Sequence, residues 1–393
     1  MSVSMVASSG AHAFANAQIG ARRISSKSSC NRRTKVKISS SSVSSSSQTI
    51  KAMAIADTNA EIDFAKYVKE KNAAIEQALS DSVPTMYPER LHESMRYSLL
   101  AGGKRIRPCL AIAACEMVGG KQEVVMPTAC ALEMIHTMSL IHDDLPMMDN
   151  DDFRRGVPTN HKVYGEEMAI LAGDALLSHA FEYIARETKG APAEKILRVI
   201  ADVGKCVGSE GLVGGQVVDI ESEGLAMEGK PVSLDTLKYI HAHKTGALLE
   251  TAVVSGAILG GGSEEDIERL GKYAYDVGLA FQVVDDILDF TGSDQQLGKP
   301  AASDLGSGYL TAPVLYALDE NPFLAELIER NFSGMEDLVK ALAIVRDSNA
   351  ITRSRQLAEK FAKNSYEAIA WIPDSPSKKA LLNLPQYVLG RLY

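Results

Sequence analysis

The sequence predicts an all-α fold, and three observations support this. Apolar residues recur at helical spacing from about Glu61 onward, with prolines and glycines between the periodic segments. No sustained alternation of apolar and polar residues marks a sheet. The composition, 46% hydrophobic and 23% charged over 393 residues, is ordinary for a globular protein. We therefore expect one helical domain over residues 57–393. Within it we predict a helix from Pro127 to Asp144, a helix N-cap at Ser233, and an outer layer of the same domain beyond Pro313.

Residues 1–56 differ in composition from the rest of the chain. They contain eight Lys or Arg and no Asp or Glu, and they are rich in Ser and Ala. This composition is typical of an organellar transit peptide, with an ordinary disordered tail as the alternative. The first arginine is Arg22, and the uncharged start favours a plastid over a mitochondrion. We expect residues 1–56 to be disordered and to be removed in the chloroplast.

The overall net charge is −9 although residues 1–56 are basic. The remainder of the chain is therefore strongly acidic. An acidic body argues against nucleic acid as the main ligand. No uninterrupted apolar run is long enough to predict a transmembrane span. Apart from Cys30 in the basic segment, the chain has four cysteines, and they lack CxxC spacing. We interpret them as reduced core residues of an intracellular protein: Cys109, Cys115, Cys130 and Cys206.

The first motif with chemical potential is EMIHTMSLIHDDLPMMDNDDFRRG, residues 133–156. Asp143, Asp144 and Asp149 follow an apolar helical run, and Arg154 and Arg155 come directly after them. Mg²⁺ prefers oxygen ligands, and arginines suit phosphate oxygens. Because Pro146 cannot continue a helix, we expect Asp149 to lie beyond the helix end and to loop back toward Asp143. A solvated acidic turn is the alternative.

A second acidic motif, FQVVDDILDF, makes the metal interpretation stronger. Asp285 and Asp289 are four residues apart and share one helical face, with Asp286 beside them. Like charges at this spacing destabilise a helix unless something compensates them. Two acidic motifs on apolar helices predict two walls of one cavity, with metal ions held between them.

Several cations accompany these motifs. Lys104 and Arg107 open an apolar helix and share a face, which suits a diphosphate, although a solvated rim is the alternative. His136 lies within an apolar helix, where a core histidine competes with a phosphate donor. Lys244 lies within a predicted helix, where a lysine that extends to solvent competes with one that faces a phosphate. The segment GLVGGQVVD lacks a preceding strand, so its glycines indicate close helix packing and not a dinucleotide loop.

These residues resemble the trans-isoprenyl diphosphate synthases, and most of all the geranylgeranyl diphosphate synthases of plant plastids. The similar region covers about Pro88 to Pro300. It contains, in the family's order, LLAGGKRIRP, the first acidic motif, ILAGD, GLVGGQVVD, IHAHKTGALLE and FQVVDDILD. The resemblance implies a single-domain bundle of antiparallel helices around a deep central cavity, usually as a homodimer. It also implies a role in isoprenoid and carotenoid biosynthesis.

The resemblance implies a Mg²⁺-dependent, head-to-tail condensation of isopentenyl diphosphate with dimethylallyl, geranyl or farnesyl diphosphate. The implied Mg²⁺ ligands are Asp143, Asp144, Asp149, Asp285, Asp286 and Asp289. Catalysis is assigned to Lys244 and to five of these aspartates: Asp143, Asp144, Asp149, Asp285 and Asp286. The implied contacts to the allylic diphosphate are Arg154, Lys244, Thr245, Gln282 and Lys299. The implied contacts to isopentenyl diphosphate are Lys104, Arg107, His136 and Arg155.

Product length in such a tunnel depends on where a bulky side chain blocks it. Met138 with the small Ser139, one turn before Asp143, resembles the plant pattern for the geranylgeranyl product. The sequence after Lys299 is more similar to long-chain polyprenyl synthases, so a longer product stays open. Plant relatives often carry CxxxC for pairing with a small subunit, whereas Cys109 and Cys115 are spaced by six, which argues against a heteromer.

Three other classes of protein are alternatives to this interpretation. A terpene cyclase or squalene-type synthase also uses aspartate-rich helices, but a cyclase needs no second diphosphate site of the kind that Lys104, Arg107 and Arg155 suggest. A non-catalytic partner subunit would be expected to lose an acidic motif, and this chain keeps both. A two-metal phosphatase is disfavoured because neither motif has neighbouring histidines suited to ligate a metal.

Overall fold

Helices make up nearly all of the secondary structure in the computed structural model, which describes residues 46–227, 232–292, 303–306, 309–330, 332 and 334–392. The helices are α1 Ser46–Ser82, α2 Glu89–Leu99, α3 Ile106–Met117, α4 Gln122–Asp143, α5 Asn160–Tyr164, α6 Glu166–Glu187, α7 Ala193–Val207, α8 Leu212–Met227, α9 Leu234–Ile240, α10 Ala247–Gly260, α11 Glu264–Thr291, α12 Ser303–Gly306, α13 Ala312–Glu320, α14 Phe323–Glu329, α15 Met335–Asp347, α16 Ala350–Ile369 and α17 Pro376–Gly390. A π-helical turn, His241–Gly246, joins α9 to α10. The predicted all-α class is confirmed.

The described residues also contain one pair of strands that the sequence did not predict. β1 (Phe153–Arg154) pairs antiparallel with β2 (Val157–Pro158). Two-residue strands are too short to produce a detectable alternation in the sequence. Residues 50–393 form one compact unit. The predicted transit peptide falls mostly on residues 1–45, which lie outside the described residues, so it stays a prediction.

Helix ends follow the local sequence. Ser233 caps α9, because its side-chain oxygen accepts a 3.0 Å hydrogen bond from the Thr236 amide, as predicted for this residue. Ser263 and Asp266 form a reciprocal capping box at the start of α11. α10 ends before Gly261, whose φ of 92° is a left-handed conformation that glycine adopts without a steric penalty.

α4 is the central helix of the core. It packs against α3, α6 and α10, and its middle is fully buried from Ala129 to Ile135. Among the described helices it alone is long and apolar enough to cross a membrane, but 72% of its most apolar window is buried inside the protein. α4 begins at Gln122, ahead of the predicted start at Pro127, so the proline lies within the helix.

The main core continues through α3, α10 and α11. α10 approaches α3 so closely that a Cβ at Gly256 would lie 2.2 Å from the Ala111 carbonyl oxygen. α11 packs along α16 and α17, which form an outer layer of the same unit, as predicted for the C-terminal region. A smaller apolar cluster, which includes Phe290 and Val314, lies between the end of α11 and helices α13 to α15.

Candidate active site

The first acidic motif lies where α4 ends. Pro146 has no amide hydrogen and cannot continue the helix, which ends at Asp143. The chain then turns back, and the Asp149 amide donates a 2.8 Å hydrogen bond to the Asp143 carbonyl. The predicted return toward Asp143 is therefore confirmed. Asp144 is buried, Asp143 is half-buried and Asp149 is exposed.

The turn between β1 and β2 separates the arginine pair. Arg155 and Gly156 form this two-residue turn, with φ values of 54° and 81°, a conformation suited to the twist of a hairpin. Arg154 Nε donates a 2.8 Å hydrogen bond to Asp144 Oδ1. Arg155 donates a 2.5 Å hydrogen bond to the Gly102 carbonyl instead. The two arginines therefore serve different parts of the site although they are neighbours in the sequence.

Lys244 lies in the π-helical turn, opposite the first motif. Its Nζ donates a 2.7 Å hydrogen bond to Asp219 Oδ2 on α8. Burial alone would lower the pKa of Lys244, but Asp219, Asp143 and Asp149 raise it above its ordinary value. α8 reaches the turn because Gly215 has no side chain: a Cβ there would lie 2.4 Å from the Lys244 amide nitrogen. Close packing, as predicted, accounts for this glycine.

The second acidic motif lies near the end of α11, and its first two carboxyl groups have different partners. Asp285 Oδ1 forms an ion pair with Arg391 Nη1 at 2.7 Å. Asp286 Oδ2 accepts a 3.0 Å hydrogen bond from the Ala312 amide and lies 3.5 Å from His241 Nε2. Asp285 thus contacts the C-terminal segment, whereas Asp286 holds the start of α13.

Tyr309 lies near acidic side chains of α8 and of the first motif. Burial raises the pKa of its phenol, and four carboxylates raise it further: Glu223, Asp149, Asp219 and Asp304. Asp149 belongs to the first motif, whereas Asp304 also raises the pKa of Asp285 in the second. Tyr309 therefore lies near a carboxylate of the first motif and near Asp304, which in turn affects Asp285. The cavity with two acidic walls stays a prediction.

No three Asp, Glu, His or Cys side chains among the described residues are arranged to hold a metal ion. Asp144 and Asp285 pair with Arg154 and Arg391 instead. The donor set nevertheless fits a hard divalent cation, because it offers several carboxylates at the edge of the core. Burial raises the pKa of Asp143 to about 6 and that of Asp285 to about 6. Both carboxylates would therefore be stabilised by added positive charge.

A separate cationic cluster lies between α3 and α4. Arg107 Nε is buried and has no hydrogen-bond partner within the described part of the chain. Burial lowers the pKa of His136 well below its usual range, and Arg107 and Arg155 lower it further. The imidazole is therefore neutral at pH 7 and can donate one hydrogen bond. An unsatisfied arginine N–H beside a neutral histidine is suited to an anionic oxygen.

Arg105, which the sequence places beside Lys104 and Arg107, has a structural role. Its guanidinium is fully buried and forms 2.7 Å ion pairs with Glu133 and Glu76. Its φ of 48° lies in the left-handed region. Lys104 is exposed and donates a 3.0 Å hydrogen bond to the Tyr387 hydroxyl on α17.

The remaining predicted site residues differ in burial. Met138 is buried in α4, and the half-buried Ser139 donates a 2.9 Å hydrogen bond to the His136 carbonyl of its own helix. Thr245 and Gln282 are half-buried, and Asp289 is 1% exposed. Lys299 lies outside the described residues.

Sequence reasoning missed Asp219, Tyr309 and Arg391. Asp219 had a usable signal, because it is an acid within the apolar segment GLVGGQVVD. Tyr309 and Arg391 had none, since their positions depend on how the chain returns to α11.

Comparison with known proteins places the chain in a family. Residues 88–345 match the model of the polyprenyl synthetase family. The chain belongs to the polyprenyl synthetase family. It is 57% identical to a chloroplastic geranylgeranyl pyrophosphate synthase of Catharanthus roseus over 273 residues, 70% of this chain and 75% of that protein. The family is one that uses a divalent metal.

Two further relatives extend the comparison. The heterodimeric geranylgeranyl pyrophosphate synthase large subunit 1 of Arabidopsis thaliana, also named chloroplastic, is 54% identical over 74% of this chain and 79% of its own length. The crystal structure of a geranylgeranyl pyrophosphate synthetase from Pyrococcus horikoshii superimposes with a TM-score of 0.76 at 34% identity, over 84% of this chain and 98% of that one. The resemblance stated from the motifs is confirmed, and so is the helical fold of this family.

Proposed function

We propose that this chain is a prenyltransferase that joins isopentenyl diphosphate to allylic diphosphates and releases geranylgeranyl diphosphate. The observation that carries the proposal is the presence of two cationic clusters of different construction. One, around Lys244, lies among the acidic side chains of the first motif and α8. The other, around Arg107 and His136, lies beside Glu133, about two turns of α4 before Asp143. Two separate anion sites fit a reaction between two diphosphate esters.

The allylic diphosphate is assigned to the acidic side. Mg²⁺ bound there by Asp143, Asp144, Asp149, Asp285 and Asp289 would neutralise the charge that develops as the diphosphate leaves. Asp286, whose Oδ2 accepts a hydrogen bond from the Ala312 amide, would contribute its other carboxylate oxygen. Lys244 adds a fixed cation. Arg154, Thr245, Gln282 and Lys299 complete the proposed contacts to this diphosphate.

Isopentenyl diphosphate is assigned to the cluster of Lys104, Arg107, His136 and Arg155. Arg107 Nε supplies an unsatisfied donor, and neutral His136 can donate a hydrogen bond without competing for a proton. Arg155 keeps one guanidinium nitrogen bound to the Gly102 carbonyl, which fixes its orientation. These donors would hold the diphosphate while the double bond of the same molecule remains free to react.

The proposed reaction has three steps. The allylic carbon–oxygen bond breaks, and its electron pair leaves with the diphosphate. The isopentenyl double bond then attacks the allylic cation and forms the new carbon–carbon bond. A proton is lost from the adjacent carbon to the departed diphosphate, which restores a double bond. Apolar side chains such as Met138 protect the cation from water.

Product length, location and assembly are also proposed. Met138 is buried before the end of α4, where it would limit the growing chain. We assign the protein to the plastid on the composition of residues 1–56 and the chloroplastic names of two relatives. We assign it a homodimer, and the named heterodimeric relative makes a partner subunit the alternative to test.

One assay tests the function. The full chain is incubated with Mg²⁺, labelled isopentenyl diphosphate and, separately, dimethylallyl, geranyl or farnesyl diphosphate, and the products are sized by chromatography. Geranylgeranyl diphosphate as the end product from each starter supports the proposal. Longer products would replace it with a long-chain synthase. No product, with a well-folded protein, would favour the non-catalytic subunit.

A further inference from the structure

A cleft separate from the proposed active site lies between α9, α11, α13 and α16. Its volume is about 190 Å³. Its walls are apolar and include Leu237, Leu279, Val283 and Phe361, all buried side chains. Neither the first acidic motif nor the Arg107 cluster lines it. The cleft therefore needs an explanation of its own.

The mouth of the cleft is cationic. Lys238 and Lys360 line it from α9 and α16, and both are exposed. Neither lysine forms an ion pair with any of the residues that the structure describes. Asp235 is the only acidic side chain among the lining residues. Apolar walls below two unpaired ammonium groups and one carboxylate suit a molecule with a short apolar chain and a single negative charge.

The inner end of the cleft reaches the second acidic motif. His241 and Ala312 both line the cleft. His241 Nε2 lies 3.5 Å from Asp286 Oδ2, and the Ala312 amide donates a 3.0 Å hydrogen bond to the same oxygen. His241 also opens the π-helical turn that carries Lys244, and π-helical turns are frequent at functional sites. His241 and Ala312 therefore connect the cleft walls to Asp286.

We propose that this cleft binds a short-chain amphipathic monoanion, and that its occupancy acts on Asp286 through His241 and the start of α13. The apolar chain lies along Leu237, Val283 and Phe361, and the anionic head lies between Lys238 and Lys360. At about 27 Å³ for each buried methylene, inferred from the close packing of apolar interiors, the cleft accommodates roughly seven carbons. This proposal does not depend on the reaction assigned above.

The test measures binding to the full chain without substrates. Octanoate and octyl sulfate, both monoanions, are titrated by calorimetry, with acetate as the head group alone and octanol as the chain alone. We expect octanoate or octyl sulfate to bind at one site per chain, and acetate and octanol to bind much more weakly. The tighter of the two amphiphiles identifies the head group. Equal binding of octanol would overturn the assignment of an anion site.

Two variants locate the site. Lys238→Gln combined with Lys360→Gln should weaken octanoate binding about fivefold, because each ammonium contributes a partly exposed charge contact. Lys363→Gln is the matched control, since Lys363 lies on the same helix but pairs with Glu367 at 3.7 Å. An equal loss in both variants, or none in either, would place binding elsewhere.

The coupling to Asp286 has its own readout. In protein with ¹³C-labelled histidine, the His241 imidazole resonance, assigned with His241→Asn, should move as octanoate is added. The shift should be absent in the Lys238→Gln and Lys360→Gln double variant. Binding without any change at His241 would overturn the coupling. Retained thermal unfolding temperatures in all variants show that loss of binding is not loss of fold.

Discussion

Arg391 Nη1 lies 2.7 Å from Asp285 Oδ1, so a cation from the end of the chain occupies the first carboxylate of the second acidic motif. The Arg391 guanidinium also lies 4.9 Å from the ring of Phe281, one helical turn before Asp285. A metal ion bound at Asp285, as proposed, would lie beside the Arg391 guanidinium. The C-terminal segment would then compete with the metal for this carboxylate.

Arg391→Gln should lower the Mg²⁺ concentration needed for half-maximal activity. Because the Arg391–Asp285 ion pair is partly exposed to solvent, we expect a change of about two- to fivefold. Arg353→Gln is the control, because Arg353 pairs with Asp319 away from the site. Activity is measured across a Mg²⁺ titration. A higher Mg²⁺ requirement would mean that Arg391 supports the metal site and does not compete with it.

Asp143→Asn should stabilise the metal-free protein at neutral pH. Burial raises the pKa of Asp143 from 3.8 to about 6, so the folded state binds this proton more tightly than the unfolded state. Its contribution to stability is full below pH 4 and is lost as the pH rises through about 6. We expect the free energy of unfolding to rise by about 1–3 kcal/mol at pH 7 and to change little at pH 4.

Thermal unfolding in chelator at both pH values measures this effect. Asp347→Asn, at the exposed end of α15, is the control. An equal change at pH 4 and pH 7 would contradict the role of Asp143 burial. The same variant should lose most turnover, because it lacks a carboxylate assigned to Mg²⁺. Binding sites often keep such charges although they lower the stability of the fold.

Substitutions at Arg105 and Lys104 should affect different properties, namely stability at Arg105 and substrate binding at Lys104. Arg105→Met leaves the carboxylate of Glu133, which is 2% exposed, without its 2.7 Å partner, and should destabilise the protein by about 3–5 kcal/mol. Lys104→Met removes an exposed ammonium and should change stability by less than about 0.5 kcal/mol. It should instead raise the KM for isopentenyl diphosphate.

Chemical denaturation and steady-state kinetics on the two variants give both quantities. If Lys104→Met unfolded as readily as Arg105→Met, the assignment of Lys104 to a substrate would fail. An unchanged KM in a stable Lys104→Met variant would place the isopentenyl group elsewhere.

The sequence predicted what depends on periodicity and on local chain breaks. The helical class, the Ser233 cap and the return of Asp149 toward Asp143 after Pro146 each follow from a few neighbouring residues. The different roles of Arg105 and Lys104 could not be predicted, because they depend on Glu76 and Glu133 from other helices. The contacts of Arg391 and Tyr309 also depend on distant parts of the chain.

Asp286 illustrates the same limit within one motif. Its spacing assigns it to the metal as readily as Asp285. The structure gives its Oδ2 atom to the Ala312 amide, which is 26 residues away in the sequence. A pattern of spacing identifies which carboxylates share a helix, but it does not identify the partner of each one.

Met138→Ala should lengthen the product. The buried Met138 side chain lies in α4 before Asp143, and its truncation removes bulk from the path of the growing chain. Product sizing by chromatography, with farnesyl diphosphate as starter, measures the change. Ser139→Ala is the control, because it keeps the second chain-length position small and removes only a hydroxyl that bonds within its own helix. An unchanged product spectrum in Met138→Ala would place the limit elsewhere.

Both acidic motifs are proposed to hold metal ions around one diphosphate. The most direct test is Mn²⁺ binding, followed by electron paramagnetic resonance, with and without an unreactive thio-analogue of farnesyl diphosphate. We expect additional Mn²⁺ to bind when the analogue is present, and both Asp143→Asn and Asp285→Asn to lose this additional binding. If either variant kept the full analogue-dependent binding, the two motifs would not share the diphosphate.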